Sequence, residues 1–341
     1  MQRRTFTTGL LLAAFSIGPV RGATARPPTP HSVLDFDWFD QQRNREVPAR
    51  LYWPSNERVR GLVPLVVFSH GIGGSRRGYS YIGRHLASAG VGSLHVQHIG
   101  SDSALWRGNP FGVVVRLQAA AQEREAIERA ADIRFALDRM LSPEDTPMAL
   151  EVDRQRIVAA GHSYGANTTL LTIGAQVVRD GRALTFRDHR FSAGVIISAP
   201  PFYGEKDLPG VLKSVSIPTL HVTATGDVIE IPGYRSDFED RLAIFDATAD
   251  PRKLLAVFRG GSHSMFTDRV LTGGASINQS AKQATPELIL AFMDWALDGE
   301  SDTLARWRTS WQAILEQPLG VPAKLQEGDD EALNGYRLHA L

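Results

Sequence analysis

The pentapeptide Gly161-His162-Ser163-Tyr164-Gly165 is the strongest indication of the fold of this chain. It is preceded by an apolar run, Ile157-Val158-Ala159-Ala160, and followed by the helix-compatible stretch 166–178. The pattern G-x-S-x-G at a strand-to-helix turn is typical of a nucleophile elbow, in which a serine occupies a strained, tight turn. Glycines at both ends let neighbouring backbone pass close to that turn. The helix that follows directs its N-terminal N–H groups at the serine, where negative charge develops during acyl transfer.

An elbow serine works with an acid and a histidine that follow it along the chain in that order. The apolar run 217–224 leads into a turn with Asp227, so this acid is expected just past the carboxyl end of a strand. The run 254–258 leads into a glycine-rich segment that contains His263. We predict Ser163 as nucleophile, Asp227 as triad acid and His263 as general base. Glu230 is the alternative acid.

A glycine-rich loop predicts the second part of the site. The apolar strand 65–68 ends in Ser69-His70-Gly71-Ile72-Gly73-Gly74-Ser75. A loop of this kind can turn a backbone N–H towards the elbow serine and stabilise an oxyanion. The predicted oxyanion donors are the N–H groups of Ile72 and Tyr164. The loop lacks the spacing and the Lys-Ser/Thr pair of a phosphate-binding loop.

Composition narrows the class of protein. The chain has 341 residues, which suffices for one large α/β domain. With 37 basic and 37 acidic residues the formal net charge is zero, which gives no electrostatic reason to expect nucleic acid or an anionic membrane as partner. The absence of cysteine excludes disulfides, thiolate catalysis and cysteine metal sites. Asp237, Asp240 and Asp246 lack the ligand spacing of a calcium loop and are expected to form a solvated acidic face. The predicted serine chemistry needs no metal and no organic cofactor.

The N-terminus has the pattern of a targeting segment. Arg3-Arg4-Thr5-Phe6 precedes the apolar stretch 9–18, and Ala23-Thr24-Ala25 fits an A-x-A cleavage site. Paired arginines beside a phenylalanine indicate a twin-arginine signal peptide, which predicts a periplasmic or secreted protein. The apolar stretch is too short for a permanent membrane anchor.

Alternating apolar runs and helical patterns predict an α/β fold with a mostly parallel central sheet and helices on both faces. An antiparallel hairpin is expected at the sheet edge over 33–54, one helix over 117–141, and a last helix that begins at Thr285 with Pro286 in its first turn. The predicted domain organisation is a signal peptide over 1–25, a linker over 26–32, a catalytic domain over 33–300, and a C-terminal helix with a loosely held tail over 301–341.

Three segments that follow strand carboxyl ends are expected to overhang the site. Aromatic side chains in them are candidates for lining an acyl or alkyl pocket, although packing within the loops explains any single one equally well. These candidates are Trp106, Phe111, Phe202, Tyr203 and Tyr234.

The motifs carry a family resemblance. The hairpin with Arg43-Asn44-Arg45, the loop 68–73, the segment 97–102 and the elbow 161–165 resemble bacterial predicted dienelactone hydrolases of the α/β-hydrolase fold, which are similar to the secreted platelet-activating factor acetylhydrolases. The resemblance covers roughly residues 33 to 300, and it implies the same triad and the same two oxyanion donors. True dienelactone hydrolases use a cysteine nucleophile, which this chain lacks, so that name does not indicate the substrate.

Together these features predict a serine esterase that hydrolyses small-molecule or lipid-like carboxylic esters, preferably with short acyl chains, through an acyl-enzyme intermediate. Two alternatives stay open. The same triad serves polyester or lipid-acyl hydrolases of the cutinase-like or phospholipase A2-like kind. A protein from another class would keep the fold as a catalytically silent binding protein.

Overall fold

The computed structural model describes residues 31–55, 59, 61–202, 204–231, 234–269 and 275–316. The predicted signal peptide, most of the predicted linker, Tyr203 and the tail from residue 317 lie outside these ranges. The strands are β1 (His31–Asp40), β2 (Arg45–Pro54), β3 (Val63–Ser69), β4 (Gly92–Val96), β5 (Val152–His162), β6 (Gln176–Arg179), β7 (Arg182–Thr185), β8 (Ala193–Ile197), β9 (Thr219–Ala224), β10 (Ile229–Ile231), β11 (Tyr234–Ser236) and β12 (Lys253–Phe258). The helices are α1 (Ser80–Ser88), α2 (Val113–Ala120), α3 (Glu123–Met140), α4 (Tyr164–Ile173), α5 (Leu208–Leu212), α6 (Phe238–Ala247), α7 (Ala275–Asp298) and α8 (Asp302–Trp311).

Eight of these strands form the central sheet, in the order β1-β2-β4-β3-β5-β8-β9-β12. The β1–β2 hairpin and the β2–β4 pair are antiparallel, and all other neighbours are parallel. The α/β class and the antiparallel hairpin at the sheet edge are therefore confirmed. Because β5, β9 and β12 run in the same direction, the loops that follow them emerge at one edge of the sheet.

Both faces of the sheet are covered, and the residues of β3 show why. Leu65 and Val67 belong to one buried apolar cluster, which also contains residues of α3 and α4. Val66 and Phe68 belong to the other, with residues of α1, α7 and α8. Successive side chains of a strand point to opposite faces, so a strand buried on both faces is a continuous apolar run.

Three predicted boundaries were wrong. The helix expected over 117–141 is two helices, because Gln122 between α2 and α3 has extended backbone and the apolar stripe from residue 126 onwards serves only α3. The last helix begins at Ala275 and contains Pro286, since α7 buries Ala281, Ala284 and neighbouring residues in the core and this packing outweighs the proline's local preference. The first strand begins at His31, two residues inside the predicted linker.

Within the described ranges, none of the helices combines the length and the apolarity that crossing a bilayer requires.

Three strands of the sheet carry buried histidines: His95 in β4, His162 in β5 and His221 in β9. Burial lowers the pKa of each ring to about 3, so the folded protein keeps these rings neutral. The unfolded chain protonates histidine below a pKa of about 6.5. Below that pH the unfolded state binds more protons, so stability that is fully present above about pH 6.5 is lost as the pH falls towards 3.

We therefore expect an acid-sensitive fold. Each of these rings contributes a slope of about 1.4 kcal/mol per pH unit, and burial lowers the pKa of His70 and His98 in the same direction. The free energy of unfolding should therefore fall by several kcal/mol per pH unit below about pH 6, with about 4 kcal/mol of that slope from the three strand histidines. Urea denaturation followed by circular dichroism at a series of pH values measures this slope. His221→Asn should reduce this slope by about 1.4 kcal/mol per pH unit. A stability that stays constant from about pH 7 to pH 5 would contradict the prediction.

Candidate active site

Ser163 lies at the turn between β5 and α4 and is 7% exposed. Its backbone has a φ of 56° and a ψ of −123°, a conformation that L-residues rarely adopt. The Ser163 N–H donates to the carbonyl oxygen of Ile197 at 2.8 Å, which ties the turn to β8. Strain of this kind costs on the order of 1–3 kcal/mol and persists only where the surrounding structure imposes it. This is the strained strand-to-helix turn that the G-x-S-x-G motif predicts.

The elbow glycines are required by close backbone packing. A Cβ atom at Gly165 would overlap the carbonyl oxygen of Ser69, and one at Gly161 would overlap the carbonyl oxygen of Gly165. The end of β3, the elbow and the start of α4 therefore meet with no room for a methyl group. The motif's spacing thus reflects a meeting of backbone segments as well as a turn.

We expect Gly165→Ala to lower the free energy of unfolding by about 3 kcal/mol or more, because β3 or α4 would have to shift. Gly78→Ala is the matched control, since its added Cβ would meet the Ser75 carbonyl oxygen at an ordinary 3.4 Å. Urea denaturation of both variants measures the difference. Equal stability of the two variants would show that the elbow tolerates the extra atom.

The structure brings the three predicted triad residues together. His263 begins a short 3-10 turn, His263–Phe266, after β12, and its Nε2 is 2.8 Å from Ser163 Oγ. Its Nδ1 is 2.7 Å from Oδ1 of Asp227, which follows β9 and is fully buried. Such a line lets Nε2 accept the serine proton while Nδ1–H donates to the carboxylate. Glu230, the alternative acid, lies in β10 with a side chain 73% exposed and Arg235 as its ion-pair partner at 3.9 Å.

Asp227 has further partners that hold it ionised. Thr223 Oγ1 donates to its Oδ2 at 2.9 Å, and Nη2 of Arg241 in α6 donates to its Oδ1 at 3.2 Å. Burial by itself would raise the pKa of Asp227, but the hydrogen bond from His263 and the charges of His263 and Arg241 hold it well below its ordinary value. Asp227 is thus an anion bound between a histidine and a buried guanidinium. Sequence reasoning missed Arg241, because nothing in α6 distinguishes it from a surface arginine.

The oxyanion loop, residues 70–75, follows β3 next to the elbow. Ser69 and Gly161 are register partners in neighbouring parallel strands, so the loop starts beside the turn that carries Ser163. The N–H of Gly73 donates to Ser101 O at 2.8 Å, which anchors the loop. The backbone N–H groups of Ile72 and Tyr164, the predicted donors, thus belong to two segments in contact at the elbow. Their role as donors stays a prediction.

Arg129 in α3 is a fully buried cation that touches both segments. Its Nη2 donates to the carbonyl oxygen of His70 in the oxyanion loop, and its guanidinium lies 4.4 Å from the ring centroid of Tyr164. Burial lowers the pKa of Arg129 to about 10, which still leaves it charged at neutral pH. The guanidinium is thus placed to hold the oxyanion loop against the start of α4. Sequence reasoning missed this residue, since a helical stripe of apolar residues gives no signal for a buried arginine beside it.

The hairpin arginines Arg43 and Arg45 belong to a polar network that extends to the end of β3. Arg43 Nη1 and Arg45 Nε bind Asp132 Oδ1 at 2.8 and 2.9 Å. His98 bridges Asp132 Oδ2 at 3.1 Å and Ser69 Oγ at 2.9 Å. Burial raises the pKa of Asp132, although the arginines oppose this. The Arg43-Asn44-Arg45 motif therefore joins the edge hairpin to the strand that leads into the oxyanion loop.

The predicted pocket aromatics divide into different environments. Trp106 donates its indole N–H to the carbonyl oxygen of Gly73 at 2.8 Å and is 48% exposed, so it lies on the oxyanion loop. Phe111 is 92% exposed, so it does not line an enclosed pocket in this structure. Phe202 is buried and packs in the apolar cluster around β3 and α3. Tyr234 is half-buried in β11, and Tyr203 lies outside the described residues.

The acidic residues that raised the question of calcium have a structural role. Asp237 and Asp240 form a reciprocal capping box at the start of α6. In the part of the chain that the structure describes, no three histidine or acidic side chains are grouped as a metal would need.

Comparison with known proteins finds similarity to platelet-activating factor acetylhydrolases. A family model described as platelet-activating factor acetylhydrolase, isoform II, matches residues 36–128. The platelet-activating factor acetylhydrolase of Cavia porcellus is 25% identical over 326 aligned residues, which cover 84% of this chain and 66% of that protein. That of Bos taurus is 27% identical over 177 residues, which cover 43% of this chain and 37% of that protein. The matched region therefore spans less than two thirds of the length of these relatives.

Solved structures share the fold. A ferulic acid esterase from Streptomyces cinnamoneus superposes with a TM-score of 0.57 at 22% identity, covering 82% of this chain and 93% of that one. The acylaminoacyl peptidase of Pyrococcus horikoshii superposes with a TM-score of 0.52 at 18% identity, covering 78% of this chain and 42% of that one. The chain thus has the α/β-hydrolase fold and is similar to the platelet-activating factor acetylhydrolases.

Proposed function

We propose that this protein is a serine esterase that hydrolyses carboxylic esters through a covalent acyl-enzyme. The observation that carries the proposal is the hydrogen-bonded line from Ser163 Oγ through the His263 ring to Asp227, with distances of 2.8 and 2.7 Å. Similarity to acetylhydrolases supports the same reaction class.

The chemistry proceeds in two steps. His263 Nε2 takes the proton of Ser163 Oγ as that oxygen attacks the ester carbonyl, and Asp227 stabilises the imidazolium. The N–H groups of Ile72 and Tyr164 bind the tetrahedral oxyanion. The imidazolium then protonates the leaving alkoxide, which departs as the alcohol and leaves an acyl-serine. In the second step His263 deprotonates a water, whose oxygen attacks the acyl carbonyl. The imidazolium then returns the proton to Ser163 Oγ as the acid is released.

A fluorophosphonate probe tests this function directly, because it reacts with an activated serine. We expect stoichiometric labelling that peptide mass spectrometry maps to Ser163, together with hydrolysis of p-nitrophenyl acetate. A silent binding protein of the same fold would show neither labelling nor hydrolysis.

We further propose a substrate with a short acyl group. Trp106 lies on the oxyanion loop, where its ring limits the space beside Gly73. A second candidate, a lipid-like ester, is favoured by apolar side chains exposed on the neighbouring segment, Phe111 at 92% and Val115 at 67%. Values of kcat/KM for p-nitrophenyl esters of two to twelve acyl carbons decide between them. A maximum at two to four carbons supports the first candidate, and one at eight or more supports the second.

We also propose that the protein is exported through the twin-arginine route to the periplasm or beyond, as Arg3-Arg4 and the Ala23-Thr24-Ala25 site suggest. Replacing both arginines by lysine should retain the esterase in the cytoplasm of a bacterial host. Mass spectrometry of the exported wild-type protein should find Arg26 as its first residue. Unchanged export of the double-lysine variant would contradict this route.

A further inference from the structure

We propose that Tyr79 and His162 are positioning residues that hold the backbone of the catalytic histidine at a fixed distance from the oxyanion loop. The inference rests on the proposed esterase function. The residues form a hydrogen-bonded chain that runs from the carbonyl oxygen of His263, through both side chains, to the N–H of Gly71. Neither side chain is a member of the triad.

The polarity of each bond in this chain is determined. His162 Nε2 lies 3.0 Å from the carbonyl oxygen of His263, which can only accept, so Nε2 carries the proton. Burial and the nearby His263 lower the pKa of His162 to about 3, so the ring is neutral and Nδ1 must accept. The hydroxyl of Tyr79 donates to Nδ1 at 2.8 Å and accepts from the N–H of Gly71 at 3.2 Å. Every group has one defined role, so loss of either side chain leaves a buried partner unsatisfied.

The two ends of the chain are the parts of the site that must be placed accurately. One end is the backbone of His263, whose ring lies 4.8 Å from the ring of His162, centroid to centroid. The other end is Gly71, whose neighbour Ile72 carries a proposed oxyanion donor. A displacement of about 1 Å between reacting groups can reduce the rate about 10²-fold. This hydrogen-bonded chain therefore sets the separation between the catalytic base and the proposed oxyanion donor.

The backbone of Tyr79 supports a positional role. Tyr79 is 3% exposed and has a φ of 57°, in the left-handed region that costs a non-glycine residue about 1 kcal/mol or more. It comes directly before α1, whose residues Ile82 and Leu86 are fully buried against the sheet. Its ring packs on Phe68 at 4.8 Å between centroids. Because Tyr79 is held in this conformation at the start of a packed helix, its hydroxyl occupies one defined position.

Tyr79→Phe tests the proposal, since it keeps the ring and removes only the hydroxyl. We expect kcat for p-nitrophenyl acetate to fall about 10- to 100-fold while KM changes less than about threefold. The rate of fluorophosphonate labelling of Ser163 should fall in parallel. The matched control is Thr146→Val, which also removes one buried hydroxyl and keeps the shape of the side chain. That hydroxyl donates to Arg139 O at 3.0 Å in the segment before β5, and it contacts neither His162 nor the turn that carries His263. Thr146→Val should lose comparable stability and less than about threefold in kcat.

A second pair of variants, at His162, tests the middle of the hydrogen-bonded chain. This pair still tests the proposal if Tyr79→Phe does not fold. A glutamine at position 162 can donate to the His263 carbonyl and accept from the Tyr79 hydroxyl, whereas leucine can do neither. His162→Gln should therefore retain at least about ten times the kcat of His162→Leu. Equal kcat for these two variants would overturn the proposal. So would a folded Tyr79→Phe with wild-type kcat, or a Thr146→Val as impaired in kcat as Tyr79→Phe. A wild-type protein with no labelling and no hydrolysis would instead overturn the esterase function itself.

Discussion

Ser163→Ala should lower kcat/KM for p-nitrophenyl acetate by about 10³-fold or more and should abolish fluorophosphonate labelling. The hydroxyl is the group that His263 Nε2 contacts at 2.8 Å, and alanine offers no oxygen to attack the ester. Residual turnover above the uncatalysed rate would come from the oxyanion donors and from substrate binding. The backbone bond from residue 163 to Ile197 O does not involve the hydroxyl, so the thermal midpoint should change by no more than a few degrees.

The matched control is Ser192→Ala. The hydroxyl of Ser192 donates to Gln155 O at 2.6 Å, at the amino end of β8 and therefore at the opposite edge of the sheet from Ser163. This variant should keep the wild-type kcat/KM. Near wild-type hydrolysis by a folded Ser163→Ala protein would exclude Ser163 as the nucleophile.

Asp227→Asn should lower kcat by about 10³- to 10⁴-fold with little change in KM. An asparagine can present its N–H₂ to Nδ1 of His263 and favour the tautomer in which Nε2 carries the proton and cannot accept from Ser163. The structure adds a second expected effect. Arg241 is 3% exposed and pairs with Asp227 at 3.2 Å, so its charge would be left buried without an anion. Breaking a buried pair from one side costs about 3–5 kcal/mol, and the free energy of unfolding should fall by that order.

The two effects can be separated. The double variant Asp227→Asn with Arg241→Met removes the unpaired charge, so it should regain most of the stability and none of the activity. Glu230→Gln is the control for acid identity, because that carboxylate is 73% exposed and should change kcat less than twofold. The measurements are kcat and urea denaturation for all three proteins. If Glu230→Gln were the more damaging change, the acid would have been assigned to the wrong residue.

Short sequence patterns predict the features of this protein that depend only on residues close together along the chain. The elbow requires glycines at fixed distances from Ser163, a hairpin requires alternation on both sides of a turn, and parallel strands require apolar runs, so each is visible within about ten residues. Ser163, Asp227 and His263 each follow an apolar run that predicts a strand. Because the loops that follow parallel strands share one edge of the sheet, the three residues are expected at the same edge. The α/β class, the edge hairpin and the candidate triad were predictable for this reason.

Tertiary packing determines the helix boundaries and the side-chain contacts that short sequence patterns do not predict. The start of α7 at Ala275, with Pro286 inside it, depends on how much apolar surface the helix buries, which outweighs the proline's preference. Arg129 and Arg241 look like surface residues in the sequence. Only the folded structure buries them and brings their guanidinium groups within hydrogen-bonding distance of His70 O and of Asp227.

The chain from His263 through His162 and Tyr79 to Gly71 shows the division most clearly. Its four members are spread over nearly two hundred residues of sequence, yet their separation is set by strand register and by one strained residue at the start of a helix. The order of residues along the chain specifies which chemical groups are available and which turns present them. Only the packed sheet decided which of these groups meet, because hydrogen bonds form over about 3 Å and that precision exists only once distant segments are fixed against one another.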